Sequence, residues 1–221
     1  MPHQCDRGAM QITAEGQRQA RSRSFGRQDR VRLIGEAVIR ILAREGARAL
    51  THRRVDRELG FPEGSTSAYC RRREDLLAAG HRRLLEMAVA SFDDLLSPLF
   101  SELAKEEAVP VVAIAKELHR AWLAFATSDI MKAQLEFLIE AARTPELREL
   151  EDQYLKVQHD RLEQICQSLG VAGARAAAIE LANWMRASAW VAYLCPAGYR
   201  SEVGAGDFEK KLADLVQDRR A

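Results

Sequence analysis

The chain has 221 residues, 47% apolar and 29% charged, which fits a soluble globular protein of one or two domains with a sizeable core. The net charge of +1 conceals a split: residues 1–83 carry 18 arginines and no lysine against 10 acidic residues, a balance of +8, and the remainder carries −7. A basic head on an acidic body fits a chain that meets nucleic acid at one end only. No run approaches bilayer length and residues 1–27 lack the apolar centre of a secretory signal, so a cytoplasmic protein without a membrane partner is expected.

In chain order, residues 1–27 are polar and aperiodic and read as a disordered arm, made basic at its end by Arg18, Arg21, Arg23 and Arg27. A first helix is predicted over 28–45, with Val31, Ile34, Val38, Ile41 and Leu42 at helical spacing; Gly46 stops it. Ala49 and Leu50 are expected to close a small core. Thr51 is a good N-cap for a second helix whose apolar edge is Val55 and Leu59, and Gly60 ends it in the left-handed conformation. Pro62 suits the first turn of a third helix, about 62–69, carrying Glu63, Gly64, Ser65, Thr66, Ser67 and Tyr69. That helix is too polar for a core and too short to stand alone. Arg71, Arg72 and Arg73 follow at once.

Two helices around a glycine turn, the second small and polar and flanked by fixed positive charge, form a helix-turn-helix. Short polar side chains let such a helix approach base edges in the major groove, and the arginines and helix N-termini hold phosphates. The competing reading is a solvated helical hairpin with an incidental arginine run. Residues 30–77 resemble the DNA-binding domain of the TetR (tetracycline repressor) family: an amphipathic helix ending AREGARALT, the paired helices, then GFPEGSTSAYCRRREDLL opening a long fourth helix. Ser67 and Cys70 depart from the aromatic residues common at those places in the family. The resemblance implies base-edge contacts from Glu63, Ser65 and Ser67, with Gly64 in the same DNA-binding segment, phosphate contacts from Thr51, His52, Arg53, Tyr69 and Arg73, and an arm able to reach the minor groove.

The fourth helix is expected from about Glu74, with Glu74 and Asp75 against its N-terminal dipole and Leu76, Leu77, Leu84, Leu85 and Ala88 on its apolar face. It is long enough to belong to both head and body, and Pro98 is expected to break or kink it. A weak helix or loop is expected over 99–109, then a helix from Pro110 to about 126 with Ile114, Leu118, Trp122 and Phe125 on one face. Asp129 reads as the next N-cap, for a helix over 130–143. Thr144 and Pro145 form a cap-plus-first-turn pair for a long helix ending at Gly170. An alanine-rich helix is expected over 173–195 and a last one over 207–219. The stretch LEFLIEAARTPELREL resembles the ligand-binding half of the same family, whose last two long helices pair with their symmetry mates.

These readings give an all-α chain of about nine helices: a basic arm at 1–27, a helix-turn-helix domain at 28–75 and a ligand-binding and dimerisation domain at 76–221. Candidate ligand contacts are Phe92, Leu96, His119, Trp122, Phe125, Gln134, Tyr154 and Trp184, which suit an apolar or flat aromatic effector. No histidine follows a glutamate at the spacing of a bundle metal site, no H-E-x-x-H or G-x-S-x-G is present, and there is no phosphate-binding glycine loop. Cys5, Cys70, Cys166 and Cys195 form no C-x-x-C pair and are expected as free thiols. The expectation is therefore a non-enzymatic regulator without metal or cofactor, a homodimer on a palindromic double-stranded DNA operator, responsive to a small molecule. The alternative is a helical small-molecule or partner-binding protein that does not read DNA sequence.

Overall fold

The computed structural model describes residues 26–103, 105 and 110–217. Among them are eight α-helices and no strand: α1 (Arg27–Glu45), α2 (His52–Leu59), α3 (Arg73–Leu103), α4 (Val111–Ala126), α5 (Asp129–Ala141), α6 (Pro145–Ser168), α7 (Ala174–Leu194) and α8 (Ala205–Gln217). Single 3-10 turns lie at Ala47–Ala49, Thr66–Ala68 and Ala197–Tyr199. Except for Gly26 and Arg27, the expected arm lies outside the described residues.

The head forms as its sequence pattern predicts, up to the turn. Ile34, Val38, Ile41 and Leu42 make the buried stripe of α1, each stabilising the head by roughly 1.5–3 kcal/mol on burial. Thr51 caps α2, its hydroxyl accepting the Arg54 N–H at 3.2 Å, and Gly60 ends it with φ 64°. Gly35 lets α1 lie directly on α3: a Cβ there would stand 2.7 Å from the Ala79 carbonyl oxygen.

One core cluster joins α1 and α2 to the first half of α3, to α5 and to the start of α6, through Val38, Leu77, Phe137 and Leu150 among others. The second joins the end of α3 to α4, α6, α7 and α8, through Leu99, Ile114, Ile165, Leu181 and Phe208. The helix α3 therefore takes part in both, as its length suggests. No helix of the described residues is long and apolar enough to cross a membrane.

Four expectations are corrected. The third helix over 62–69 is a turn and one 3-10 turn, because Gly64 stands at φ 87°, outside the helical region. Pro98 does not end α3, which continues to Leu103 through the first five residues of the expected weak helix or loop. The N-cap of α5 is Ser128, with Asp129 inside the first turn against the helix dipole. The last helix starts at Ala205, two residues earlier than expected, and its expected end at 219 lies outside the described residues.

Candidate nucleic-acid interface and small-molecule cavity

The polar segment after α2 is held in shape by Asp56. This carboxylate is buried on the inner edge of α2 and accepts the Gly64 N–H at 2.8 Å, the Thr66 N–H at 2.9 Å and the Thr66 hydroxyl at 2.5 Å. The tether pins the middle of a loop in which Pro62, Glu63, Gly64, Ser67 and Ala68 face solvent. Arg30 of α1 lies over the Phe61 ring at 5.2 Å and Arg27 over the Tyr69 ring at 5.9 Å, which packs both aromatic rings under basic groups. His52 Nε2 meets the Cys70 carbonyl at 2.7 Å, and burial pushes the Cys70 thiol up to about 11.

The two arginine-rich helices are cross-braced. Glu58 takes Arg40 at 2.9 Å and Arg54 at 3.0 Å, and Arg54 also reaches Glu45. The Arg40 guanidinium, and then that of Arg54, holds the Glu58 carboxyl below its usual range. Asp75 accepts the Arg72 and Arg71 N–H groups at 2.8 and 2.9 Å, closing the N-terminus of α3. These bonds, Arg72 first, keep its carboxyl ionised below the ordinary carboxylate value.

The head is fastened to the body by α5. Glu136 accepts the Ala47 N–H at 3.2 Å. Glu140 pairs with Arg73 at 3.2 Å, and Arg73 donates also to the Ala47 carbonyl at 2.9 Å. Phe137, between them, stacks on the fully buried His81 of α3 with centroids 4.8 Å apart. His81 Nε2 stands 3.0 Å from Glu151 Oε2, yet out of line for a hydrogen bond.

Behind this junction the body holds a cavity of about 150 Å³ between α3, α4, α5, α6 and α7. Leu118, Trp122, Phe125, Ile130, Leu162 and Met185 supply most of its apolar wall. Its polar lining includes Gln134 and Tyr154, both buried, and Gln158 and Arg186. Arg186 donates to Gln158 Oε1 at 3.2 Å, and Gln158 Nε2 donates to the Tyr154 hydroxyl at 2.9 Å. Burial pushes the Tyr154 phenol well above its ordinary value, so it stays protonated. Gln134 Oε1 is buried without a hydrogen-bond partner.

No family model matches the chain and no curated protein matches it in sequence. Solved structures do match it in shape. A transcriptional regulator from Rhodococcus sp. Rha1 superposes with a TM-score of 0.67 at 18% identity, over 86% of this chain and 98% of the other. A protein described as a TetR-family transcriptional regulator from Mesorhizobium loti gives 0.64 at 14% identity, over 88% and 96%. The fold is that of the TetR-type regulators. A third structure, of a protein described as a transcriptional regulator from Saccharomonospora viridis in complex with choline, gives 0.65 at 17% identity, over 86% and 96%.

Within this TetR-type fold the expected DNA contacts divide. Thr51, Arg53, Glu63, Gly64 and Ser67 are exposed, and Ser65, His52 and Tyr69 are half-buried. Arg53 and Glu63 face each other at 2.8 Å with side chains 73% and 69% exposed, so the pair is open to exchange with another partner. Arg73 differs from expectation: its guanidinium is turned to Glu140 and Ala47, which makes it a strut between head and body.

Of the expected ligand contacts, Trp122, Phe125, Gln134 and Tyr154 meet at the cavity. Three do not. Leu96 is buried in the second core cluster, Trp184 packs edge-on against Phe208 at 4.8 Å, and His119 meets the Val203 carbonyl at 3.2 Å. The Phe92 side chain lies outside the described residues. Sequence reading missed Asp56, Glu136, Glu140, Gln158 and Arg186. Asp56 had a signal: it adjoins Val55 and precedes Leu59 by three, which places a carboxylate on the inner edge of α2.

Proposed function

We propose that the chain is a ligand-responsive transcriptional regulator that binds a palindromic DNA operator as a homodimer in the cytoplasm. The observation that carries this reading is the sharing of α3 and α5 between an exposed, basic, helix-turn-helix-like head and a body cavity with unspent hydrogen-bonding groups. In this reading the tethered segment enters the major groove, with Glu63, Gly64, Ser65 and Ser67 toward base edges. Thr51, His52, Arg53 and Tyr69 meet phosphates. Arg73 acts one step back, by holding Ala47 and the head against α5.

A dimer is supported by the outer face of α7. Ile179 and Leu194 are each 38% exposed, and Trp190 stands between them at helical spacing, with its buried indole N–H unpartnered. A second copy of α7 and α8 would cover this stripe and place two heads roughly one duplex turn (~34 Å) apart. An effector in the cavity changes DNA affinity by binding more tightly to one setting of the head than to the other.

The test is retention of a randomised duplex pool by the purified chain, with sequencing of what is kept. The expected result is a palindrome with half-sites near one turn apart. Retention that is sequence-blind and strongly salt-dependent would instead favour a basic ligand-binding protein that does not read DNA sequence.

A further inference from the structure

We propose that the cavity takes a small uncharged phenol, one aromatic ring bearing a hydroxyl, whose O–H donates to Gln134 Oε1 and whose oxygen accepts from the Tyr154 hydroxyl. The inference rests on the ligand-responsive reading above and names the chemistry of its ligand.

Two buried polar groups have hydrogen-bonding capacity left unspent. Gln134 is 3% exposed, lines the cavity, and its Oε1 has no donor. A buried acceptor left unpaired is destabilising, and its neighbours in α5 do not satisfy it. Tyr154 is the complementary case. Its oxygen already accepts from Gln158 Nε2 at 2.9 Å, and Gln158 is fixed in that orientation because its own oxygen accepts from Arg186 at 3.2 Å. The phenolic proton must therefore point elsewhere, and no acceptor for it is found among the described residues.

Of the polar groups around the cavity, these two are the buried ones left unspent, one acceptor and one donor. A hydroxyl is the smallest group that answers both, since it donates once and accepts through its lone pairs. A carboxylate would gain from Arg186, but it brings only acceptors and would set its charge against the unpaired Gln134 Oε1. An ammonium brings only donors and would share the cavity with Arg186, the one charged residue among the described lining. This separates the site from one built for a quaternary ammonium, which is held by aromatic faces. The body of the ligand follows from size and wall: the volume is about 150 Å³ and the wall includes Trp122, Phe125, Leu118 and Met185. An apolar cavity of roughly this size holds a single benzene ring.

The experiment is titration of the full chain with 4-methylphenol, toluene, benzoate and benzyltrimethylammonium, followed by calorimetry and ligand-detected NMR. The phenol is expected to bind at least roughly tenfold more tightly than toluene, because toluene leaves both protein groups unpaired. Benzoate and the ammonium are expected to bind more weakly than the phenol. In Gln134→Leu the advantage of the phenol over toluene is expected to fall below about twofold, and the melting temperature to rise, because an unpaired buried acceptor has been removed. Tyr154→Phe is expected to reduce the same ratio. Equal binding of phenol and toluene, tighter binding of benzoate or the ammonium, or no saturation by the phenol below millimolar concentration would each overturn the proposal. These outcomes are separate from the regulator reading. A selected operator with no phenol binding would sink the phenol alone; phenol binding without sequence-selective duplex retention would sink the regulator reading alone.

Discussion

Replacing Asp56 is the sharpest probe of how the head is built. Asp56→Ala removes the acceptor of three hydrogen bonds at 2.8, 2.9 and 2.5 Å. Gly64 is exposed, so its N–H regains water, but Thr66 is fully buried and both its N–H and its hydroxyl lose their partner. Each unpaired buried group costs about 1–3 kcal/mol, and the hydroxyl recovers part by rotating, so the expected loss is about 3 kcal/mol. For a chain of this size that lowers the melting temperature by about 6–12 °C and the exchange protection of the Thr66 amide by about a hundredfold. Asp56→Asn keeps one oxygen for Thr66 but turns an NH₂ toward the Gly64 N–H, and should lose about 1–2 kcal/mol. The assay is thermal melting by circular dichroism with amide exchange on the same samples. An Asp56→Ala protein that melts within about 2 °C of the parent and keeps its Thr66 protection would refute the tether.

Four further outcomes are expected. Arg53→Ala should lower the slope of log affinity for duplex against log salt by about one, whereas Arg73→Ala should leave the slope unchanged and lower the melting temperature; fluorescence anisotropy over a salt series separates them. Gly35→Ala should destabilise by about 1–3 kcal/mol despite its better helix propensity, since its Cβ would meet the Ala79 carbonyl oxygen at 2.7 Å, which chemical denaturation measures. Cys70, with its thiol held up near 11, should alkylate at pH 8 roughly a hundredfold more slowly than a free thiol until urea is added, as mass spectrometry would show. Burial, and then Arg175 and Arg186, hold the His159 imidazole below its ordinary 6.5, so the unfolded chain takes up the proton first as pH falls. Stability is then lost from about pH 6.5 downward toward the folded value, and melting from pH 7.5 to 5 should show a smaller loss in His159→Gln.

Much of the head was legible because caps and periodicity are local. Thr51 and Gly60 bound α2 as their side-chain and backbone preferences require, and the stripe of α1 needed only helical spacing. The segment after Pro62 was misread because its shape is set by Asp56, a contact eight to ten residues back in the chain. Local propensity has no term for such a tether. In the body, apolar spacing found the helices but could not separate wall from core: Trp122 and Leu96 follow the same pattern, and one lines the cavity while the other is buried in the second core cluster away from the lining. Gln134 and Tyr154 stood out as polar groups on apolar faces, but the same rule picked His119, which meets the Val203 carbonyl instead of the cavity. Gln158 and Arg186 read as ordinary solvated positions, and only the folded arrangement brings them to the cavity edge.

The proposed coupling also changes place once the contacts are known. From sequence alone, α3 is the natural lever, because it is long and belongs to both halves. It lines the cavity at Ala88 and Ser91 and meets the junction at His81, a separation of seven to ten residues, or about 10–15 Å of helix. On α5 the same two tasks lie closer. Gln134 faces the cavity, while Glu136, Phe137 and Glu140 hold Ala47, His81 and Arg73, two to six residues or about 3–9 Å away. A ligand bonded to Gln134 therefore acts on a rigid helix whose next turn carries the head's fastenings, and a small rotation there moves both carboxylates together. A rotation of α3 must instead be transmitted along a helix held by both cores. If α5 is the route, Glu136→Gln and Glu140→Gln weaken the effect of ligand on DNA affinity, and by linkage they weaken the effect of DNA on ligand affinity by the same factor.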